Sequence, residues 1–520
     1  MSDIATRIAA IAAESGHRPA VIDAENQIDF AGFEAWTNDL ANRINAATGS
    51  EPRVCLVVGG FDVQAIVGMF ATLKTPHIFV ALDRENTPAN IATIADQLEA
   101  GVIVHTDDSG DVVNAAGLSL PLVGIGPRPE GPVAPPAVLP DLTRTVLYKR
   151  TSGSTGGAKT AAHSVEGILG DAIPGAEILE LTAGSKLCIA STFDAALTSA
   201  ATLRCILSGA TLLPVDLRFE SPKKAVDRLI AAGLTHIYNT PTALRLLCSG
   251  LPEDGIFPDL YSVLLGGEKT TMADVRLLAR KSPPGAHLRS TFASTETQLV
   301  AHTSVSLEGD IGPEDFAEMT VAEGVRIDIL DGDGQPKPLG EIGHVWVTSK
   351  MITLGYRGEV DAAVAAKVVP NEDGTRSYMT DDMGYLTKDG KLALTSRAGR
   401  EIKIRGRRVD LGAVEAWLTK QDDIVEAAVV VQPIGHDGGP RLAAFIKGED
   451  GFEGVTALRK RMQAELIASM QPTAIVPDGE SPVRIEDGDV VVFMNYRSDR
   501  ARQITRPFIE DDFDGFERKS

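Results

Sequence analysis

Residues 144–164, RTVLYKRTSGSTGGAKTAAHS, constrain this chain more than any other stretch. Thr145 to Tyr148 is a short β-prone run. It leads into a segment with hydroxyls at Thr151, Ser152, Ser154 and Thr155, glycines at Gly153, Gly156 and Gly157, and one lysine, Lys159. Apolar residues at helical spacing resume after His163. Glycines let backbone N–H groups come close to an anion, hydroxyls add donors, and a lysine adds a mobile positive charge. Such a loop directly after a strand predicts a grip on a polyphosphate. The plainer reading, a flexible surface loop, gives no reason for the lysine.

The rest of the chain supplies a frame for that loop. At 520 residues there is room for a large domain and one or two smaller ones. Spacing predicts helices at 4–15, 31–46, 62–74 and 88–99, with strands near 18–23, 54–58, 77–81 and 102–104. Further strands are expected at 187–193, 210–214, 235–239 and 261–265, with helices at 222–232 and 241–249. This alternation predicts an α/β fold with a parallel, doubly wound sheet. Gly266, Gly267 and Glu268 end a strand, where open α/β sheets bind ligands. Residues 126–141 are proline-rich and read as a surface connection. Residues 325–358 turn β-rich.

Bulk chemistry narrows the function. The chain carries 50 basic and 71 acidic residues, a net charge of −21. That balance repels a phosphodiester backbone and argues against a nucleic-acid partner. No apolar run reads as a signal peptide or a membrane span, so no membrane partner is expected. Cys55, Cys188, Cys205 and Cys248 are scattered through apolar contexts without a C-x-x-C pair. They predict reduced core thiols in a cytoplasmic protein.

Two families use a loop of this kind. In the P-loop pattern G-x-x-x-x-G-K-[ST], Ala158 stands where the second glycine is needed. Residues 151–160 also resemble [ST]-S-G-[ST]-T-G-x-P-K-G of the adenylate-forming superfamily, with Ala158 for proline and Thr160 for glycine. The loop alone leaves both open. Four later stretches resemble only the second family. Ser290-Thr-Phe-Ala-Ser-Thr-Glu296 is similar to N-x-Y-G-x-T-E. Gly340-Glu-Ile-Gly343 through Gly358 is similar to G-E-[LI]-x-x-x-G followed by G-Y. Tyr378-Met-Thr-Asp-Asp-Met-Gly384 is similar to Y-x-T-G-D-x-G, with Asp381 for glycine. Residues 396–412 resemble G-R-x-D-x-Q-[IV]-K-[IV]-R-G-x-R-[IV]-E.

The resemblance implies a large doubly wound lobe over 1–396 and a small α+β lobe over 397–470. It implies ATP and Mg²⁺ as cofactors, and activation of a carboxylic acid as acyl-adenylate with release of pyrophosphate. Lys159, Thr151, Ser152, Gly153, Ser154, Thr155 and Gly156 would surround the phosphates. Thr155 and Glu296 would hold Mg²⁺, and Thr295 would touch phosphate. Gly267, Glu268 and Phe292 would line the nucleotide. Asp382 would bind the ribose diol, since a carboxylate accepts from both hydroxyls. Arg397 would contact ribose or phosphate. Gly399 stands where the family has its hinge aspartate. Phe193-Asp194 resembles the F-D-x-S of the amino-acid-activating branch, so Asp194 would pair with a substrate ammonium; the alternative is a helix N-cap. A separate carrier protein or CoA is the expected thioester acceptor.

After about residue 470 the pattern breaks. The family continues to a glycine–lysine motif whose lysine reaches the α-phosphate, whereas here Lys519 is the only lysine after Lys460. Slow adenylation with ATP binding retained is therefore expected. Residues 471–520 resemble an internal segment of cofactor-independent phosphoglycerate mutase. There Arg497 and Arg500 would be phosphoglycerate contacts, but about fifty residues cannot rebuild that enzyme. Val490 to Phe493 could add a strand to the small lobe. A nucleotide-binding pseudoenzyme and, further off, a mutase fragment remain as alternatives.

Overall fold

The computed structural model describes residues 3–137, 141–151, 159–268, 270–309, 311–358, 360–397, 401–404, 407–421, 423–432, 441–448 and Leu458. The chain divides into two compact units, Met1–Thr395 and Ser396–Ser520.

In the first unit, the doubly wound expectation resolves into two mixed sheets. A seven-stranded sheet runs Gly355–Arg357, Lys159–Ser164, Thr145–Thr151, Ile78–Asp83, Val54–Gly59, Ala100–His105, Leu122–Gly124. It is parallel from Thr145–Thr151 onward and antiparallel at the other end. A nine-stranded sheet runs Thr320–Val321, Gln298–Ser306, His287–Ser294, Ser262–Leu265, His236–Asn239, Lys186–Ala190, Thr211–Val215, Pro19–Ile22, Gln27–Asp29. Its middle is parallel and its edges antiparallel. A smaller sheet is built on Arg326–Leu330, Gly343–Ser349, Arg376–Leu386 and Val368–Pro370.

The strand sequences explain this layering. Val54 to Val58 is apolar at every position because both faces are covered. Cys55 and Val57 join the largest core, while Val54, Leu56 and Val58 join a separate cluster with Ile91 and Ile94 of helix Pro88–Gln97. The largest core takes residues from both sheets, including Phe79, Leu147, Leu187 and Leu212, and from helices Phe30–Thr48, Val63–Leu73, Val165–Leu179 and Ala196–Leu207. Those helices are thus sandwiched between the sheets. Burying a side chain the size of Leu147 or Phe79 contributes about 2–3 kcal/mol. Helices Pro222–Ala231, Pro241–Cys248 and Met272–Lys281 cover the far face of the nine-stranded sheet.

Local chemistry sets the helix starts. Asp3, Asp29, Asp62, Thr87, Ser164, Ser221, Thr240 and Thr271 each accept a backbone N–H of the first helical turn. Proline follows the cap in three of these helices, where its missing N–H costs nothing. The proline-rich connection is pinned to helix Phe30–Thr48: Asn38 Nδ2 and Asn42 Nδ2 donate to the carbonyls of Val133 and Ala134, each at 3.0 Å. The four cysteines are free and buried. Among the described residues, no helix is long and apolar enough to cross a membrane.

The second unit contains the hairpin Glu401–Ile404 with Arg407–Asp410, the helix Leu411–Thr419, and the antiparallel pair Ile424–Gln432 with Arg441–Gly448. Leu411, Val414, Leu418, Ile424, Val429, Ile446 and Leu458 form its core. The helix and two strands match the expected small α+β lobe. Apart from Leu458, the stretch after residue 448 lies outside the described residues, and with it the expected strand Val490 to Phe493.

Candidate active site

Thr145–Thr151 and Lys159–Ser164 form a hairpin in which Thr151 pairs with Lys159. The strand Lys159–Ser164 has an alternation that is hard to read, because Thr160, Ala161, His163 and Ser164 are all buried. Ser152, Gly153, Ser154, Thr155 and Gly156 lie between the strands, outside the described residues. Lys159 opens the second strand, whose other edge pairs with Gly355–Arg357, Tyr356 opposite Ala161.

That second pairing brings Glu296 in. Strands His287–Ser294 and Gln298–Ser306 are antiparallel, with Thr295, Glu296 and Thr297 in the turn. Thr297 N donates to Ser294 Oγ at 3.0 Å, and Gln298 leaves the turn at φ +57°. A left-handed glutamine is strained backbone of the kind found at functional sites. Glu296 Oε1 accepts from Tyr356 Oη at 2.9 Å, and its carbonyl accepts from Thr353 N at 2.8 Å. Thr353 Oγ1 in turn donates to the Ala162 carbonyl at 2.8 Å. Burial first, then the Glu296 charge, holds the Tyr356 phenol far above its usual range. The same two causes, in the same order, push Tyr378 up to about 12. Glu296 therefore faces two phenols that keep their protons. Tyr356, bonded to Glu296, thus pairs with Ala161, two positions along the strand from Lys159.

The remaining positions divide between this neighbourhood and others. Phe292 is half-buried against the cluster of Val300, Ala301 and Ile352. Gly266 N donates to the Asn239 carbonyl at 3.2 Å, and a Cβ at Gly266 would come within 3.0 Å of Thr291 Oγ1. Gly267 has φ +79°, which only glycine adopts without strain. Glu268 accepts from Thr242 N at 3.1 Å and Thr242 Oγ1 at 2.7 Å, at the start of helix Pro241–Cys248. Asp382 is half-buried in strand Arg376–Leu386, and its N donates to Thr380 Oγ1 at 3.1 Å. Asp381, in the usual glycine position, continues the strand and accepts from Lys367 Nζ at 2.5 Å. Arg397 ends strand Leu392–Arg397. Gly399, Arg497 and Arg500 lie outside the described residues.

Asp194 is exposed, and its Oδ1 accepts from Thr192 Oγ1 at 2.9 Å. It is not a helix cap: Ala195 occupies the N-cap of Ala196–Leu207 with no side-chain bond. Asp194 instead lines a small cleft with Phe79, Leu147, Lys149, Arg150 and Ser199. Burial lowers the Arg150 guanidinium's affinity for its proton, and the Asp194 charge opposes that.

Sequence reading missed the groups behind this cleft. Lys149 is only 6% exposed, and burial lowers its amine to about 8. Arg204 and Asp171 form a buried ion pair at 2.9 Å. The available signal was a lysine two positions after Leu147, on the same strand face.

The chemistry of these groups is compatible with a nucleoside triphosphate. It offers a carboxylate backed by neutral donors, a lysine at a hairpin mouth, and a glycine pair at a strand end.

Comparison with known proteins agrees. Residues 8–357 match the family described as AMP-binding enzyme. Residues 443–520 match a second, the BPG-independent PGAM N-terminus; this match begins inside strand Arg441–Gly448, upstream of the break read near residue 470. Malpinin synthetase of Mortierella alpina is 26% identical over 490 residues, covering 89% of this chain and 6% of that protein. The chain spans 6–9% of the length of this and three similar relatives. ATP-bound MatB of Rhodopseudomonas palustris superposes with a TM-score of 0.73 at 19% identity, covering 91% of this chain and 94% of that one. The four-domain nonribosomal peptide synthetase AB3403, bound to AMP and glycine, gives a TM-score of 0.73 at 20% identity, covering 91% of this chain and 34% of that one. The match over 8–357 settles the lineage: this chain belongs to the AMP-binding, adenylate-forming enzymes and has peptide-synthetase adenylation domains among its homologues.

Proposed function

We propose that the chain activates an amino acid with ATP. A carboxylate oxygen attacks the α-phosphorus, the bond to the β-phosphate oxygen breaks, and acyl-adenylate and pyrophosphate result. No protein nucleophile is needed, so positioning and charge neutralisation carry the catalysis. Lys159, with Ser152, Ser154, Thr155 and the amides of Thr151, Gly153 and Gly156, holds the phosphates. Thr155 and Glu296 hold Mg²⁺, which supplies charge neutralisation when bound. Thr295 touches phosphate. Phe292, Gly267 and Glu268 line the base, Asp382 takes the ribose diol, and Arg397 takes ribose or phosphate. Asp194 pairs with the substrate ammonium. The organisation is a large lobe to residue 396, a small lobe to 470 pivoting at Gly399, and a mutase-like tail. The acceptor of the activated acid is a separate carrier protein or CoA.

The observation that carries this reading is Glu296. It accepts from Tyr356 Oη, on the strand that pairs with the one Lys159 opens. ATP–pyrophosphate exchange tests it, with a panel of amino acids set against their deaminated counterparts. Exchange with at least one amino acid is expected. Exchange with none, or preference for the deaminated acids, would overturn the reading.

A further inference from the structure

Behind Asp194 lies a buried group that adenylation as described does not use. Lys149 lines the same cleft, on the strand face that Leu147 shares with helices Val165–Leu179 and Ala196–Leu207. Its Nζ donates to a neutral acceptor, Gln298 Oε1, at 3.3 Å. The carboxylate that draws it is Asp171. That carboxylate is already committed, since Oδ1 accepts from Arg204 Nη2 at 2.9 Å and from Leu299 N at 3.0 Å.

Arg204 is 2% exposed, lies 5.2 Å from the Tyr238 ring centroid with that phenol as a further hydrogen-bond partner, and keeps Nε and Nη1 without acceptors among the described residues. His163, also buried beside Lys149, is held neutral by burial first and by the lysine's charge second. Two buried cations thus share one carboxylate. An uncompensated buried charge is costly, and a buried donor without an acceptor adds to the cost. The arrangement is short of one anion, and it borders the cleft that holds Asp194.

We propose that Lys149 is the specificity-determining residue for the acid. Its ammonium receives a second carboxylate of the substrate, one that takes no part in the reaction. The chain would then select an α-amino dicarboxylate, with the ammonium on Asp194, one carboxylate on Lys149 and the other presented to ATP. This rests on the adenylation reading, which places the acid in the Asp194 cleft. The competing account is that Lys149 only fills the core.

The test is calorimetric binding of non-reactive acyl-adenosine sulfamates to the full chain, which needs no turnover. Aspartyl and glutamyl sulfamates are set against their asparaginyl and glutaminyl amides. One acidic ligand is expected to bind about a hundredfold tighter than its amide. Lys149→Met should erase that difference, and Lys149→Gln serves if the methionine variant does not fold. Measurable binding of the amides, equal to or tighter than the acids in the wild-type chain, overturns this inference and leaves adenylation standing. A wild-type preference that Lys149→Met or Lys149→Gln leaves intact overturns the role of Lys149. Binding of none of the four overturns this inference and leaves adenylation to the pyrophosphate-exchange panel.

Discussion

Tyr356 Oη and Glu296 Oε1 are 2.9 Å apart, and the bond joins two segments sixty positions apart in the chain. Its donor is a phenol that burial and the carboxylate together keep protonated. One carboxylate oxygen is therefore fixed by the phenol, and in the proposed reading Mg²⁺ would fall to the other. Tyr356→Phe should lower pyrophosphate exchange about tenfold, the value of one hydrogen bond to a charged group. The Mg²⁺ concentration for half-maximal rate should rise with it. Glu296→Gln should cost more, about 10²-fold. An unchanged Mg²⁺ dependence in Tyr356→Phe would remove this relay.

Asp194 carries an ammonium in this account, so its removal should act on binding of the acid. Asp194→Asn should raise KM for the preferred amino acid by about 10–100-fold, the strength of a charge-assisted pair. Deaminated acids should be unaffected or improved. Since Asp194 caps no helix, the thermal midpoint should hardly move. A fall in stability without a change in selectivity would contradict this role.

Asp171 and Arg204 bridge two central helices at 2.9 Å with almost no exposure. Arg204→Met leaves the carboxylate with Leu299 N and the nearby Lys149 charge. Asp171→Asn leaves two buried cations facing a neutral amide. Breaking a buried pair from one side costs about 3–5 kcal/mol. Asp171→Asn should therefore destabilise more than Arg204→Met, as read by urea unfolding.

Acid should weaken the fold through its histidines. Burial lowers His77 and His236 to about 4 and takes His163 well below its ordinary value. Below about pH 6.5 the unfolded chain binds protons that the fold refuses, so stability falls as pH drops toward 4. Each group contributes up to about 1.4 kcal/mol per pH unit. Asp62, raised by burial to about 6, works the other way: the fold holds its proton first between 6 and 3.8, which offsets one of the three. The urea midpoint should fall between pH 6.5 and 4.5. A flat profile would refute these shifts.

Much of the frame was legible. Runs such as Val54 to Val58 announce strands covered on both faces, and Asp, Ser and Thr caps announce the helices after them. The strand Lys159–Ser164 was not, because Thr160, His163 and Ser164 are polar residues buried by neighbouring strands that local pattern does not reveal. Glu296 was recognisable from its motif, yet its tie to Tyr356 depends on a pairing distant in sequence. Lys149 carried no signal of its surroundings in the sequence, because those come from helices on either side of residue 190. For Asp194 the helix-cap alternative fails, because Ala195 takes the N-cap of Ala196–Leu207; its pairing with an ammonium stands as a proposal.

The hairpin register has one more consequence. Lys159 sits on a strand laced along both edges, to Thr145–Thr151 on one side and Gly355–Arg357 on the other. Sliding its backbone by a single step would flip every side chain to the opposite face and break two ladders at once. The lysine's root is anchored masonry, and any approach between it and a nucleotide must come from the guest or from the pliable end of its own stem.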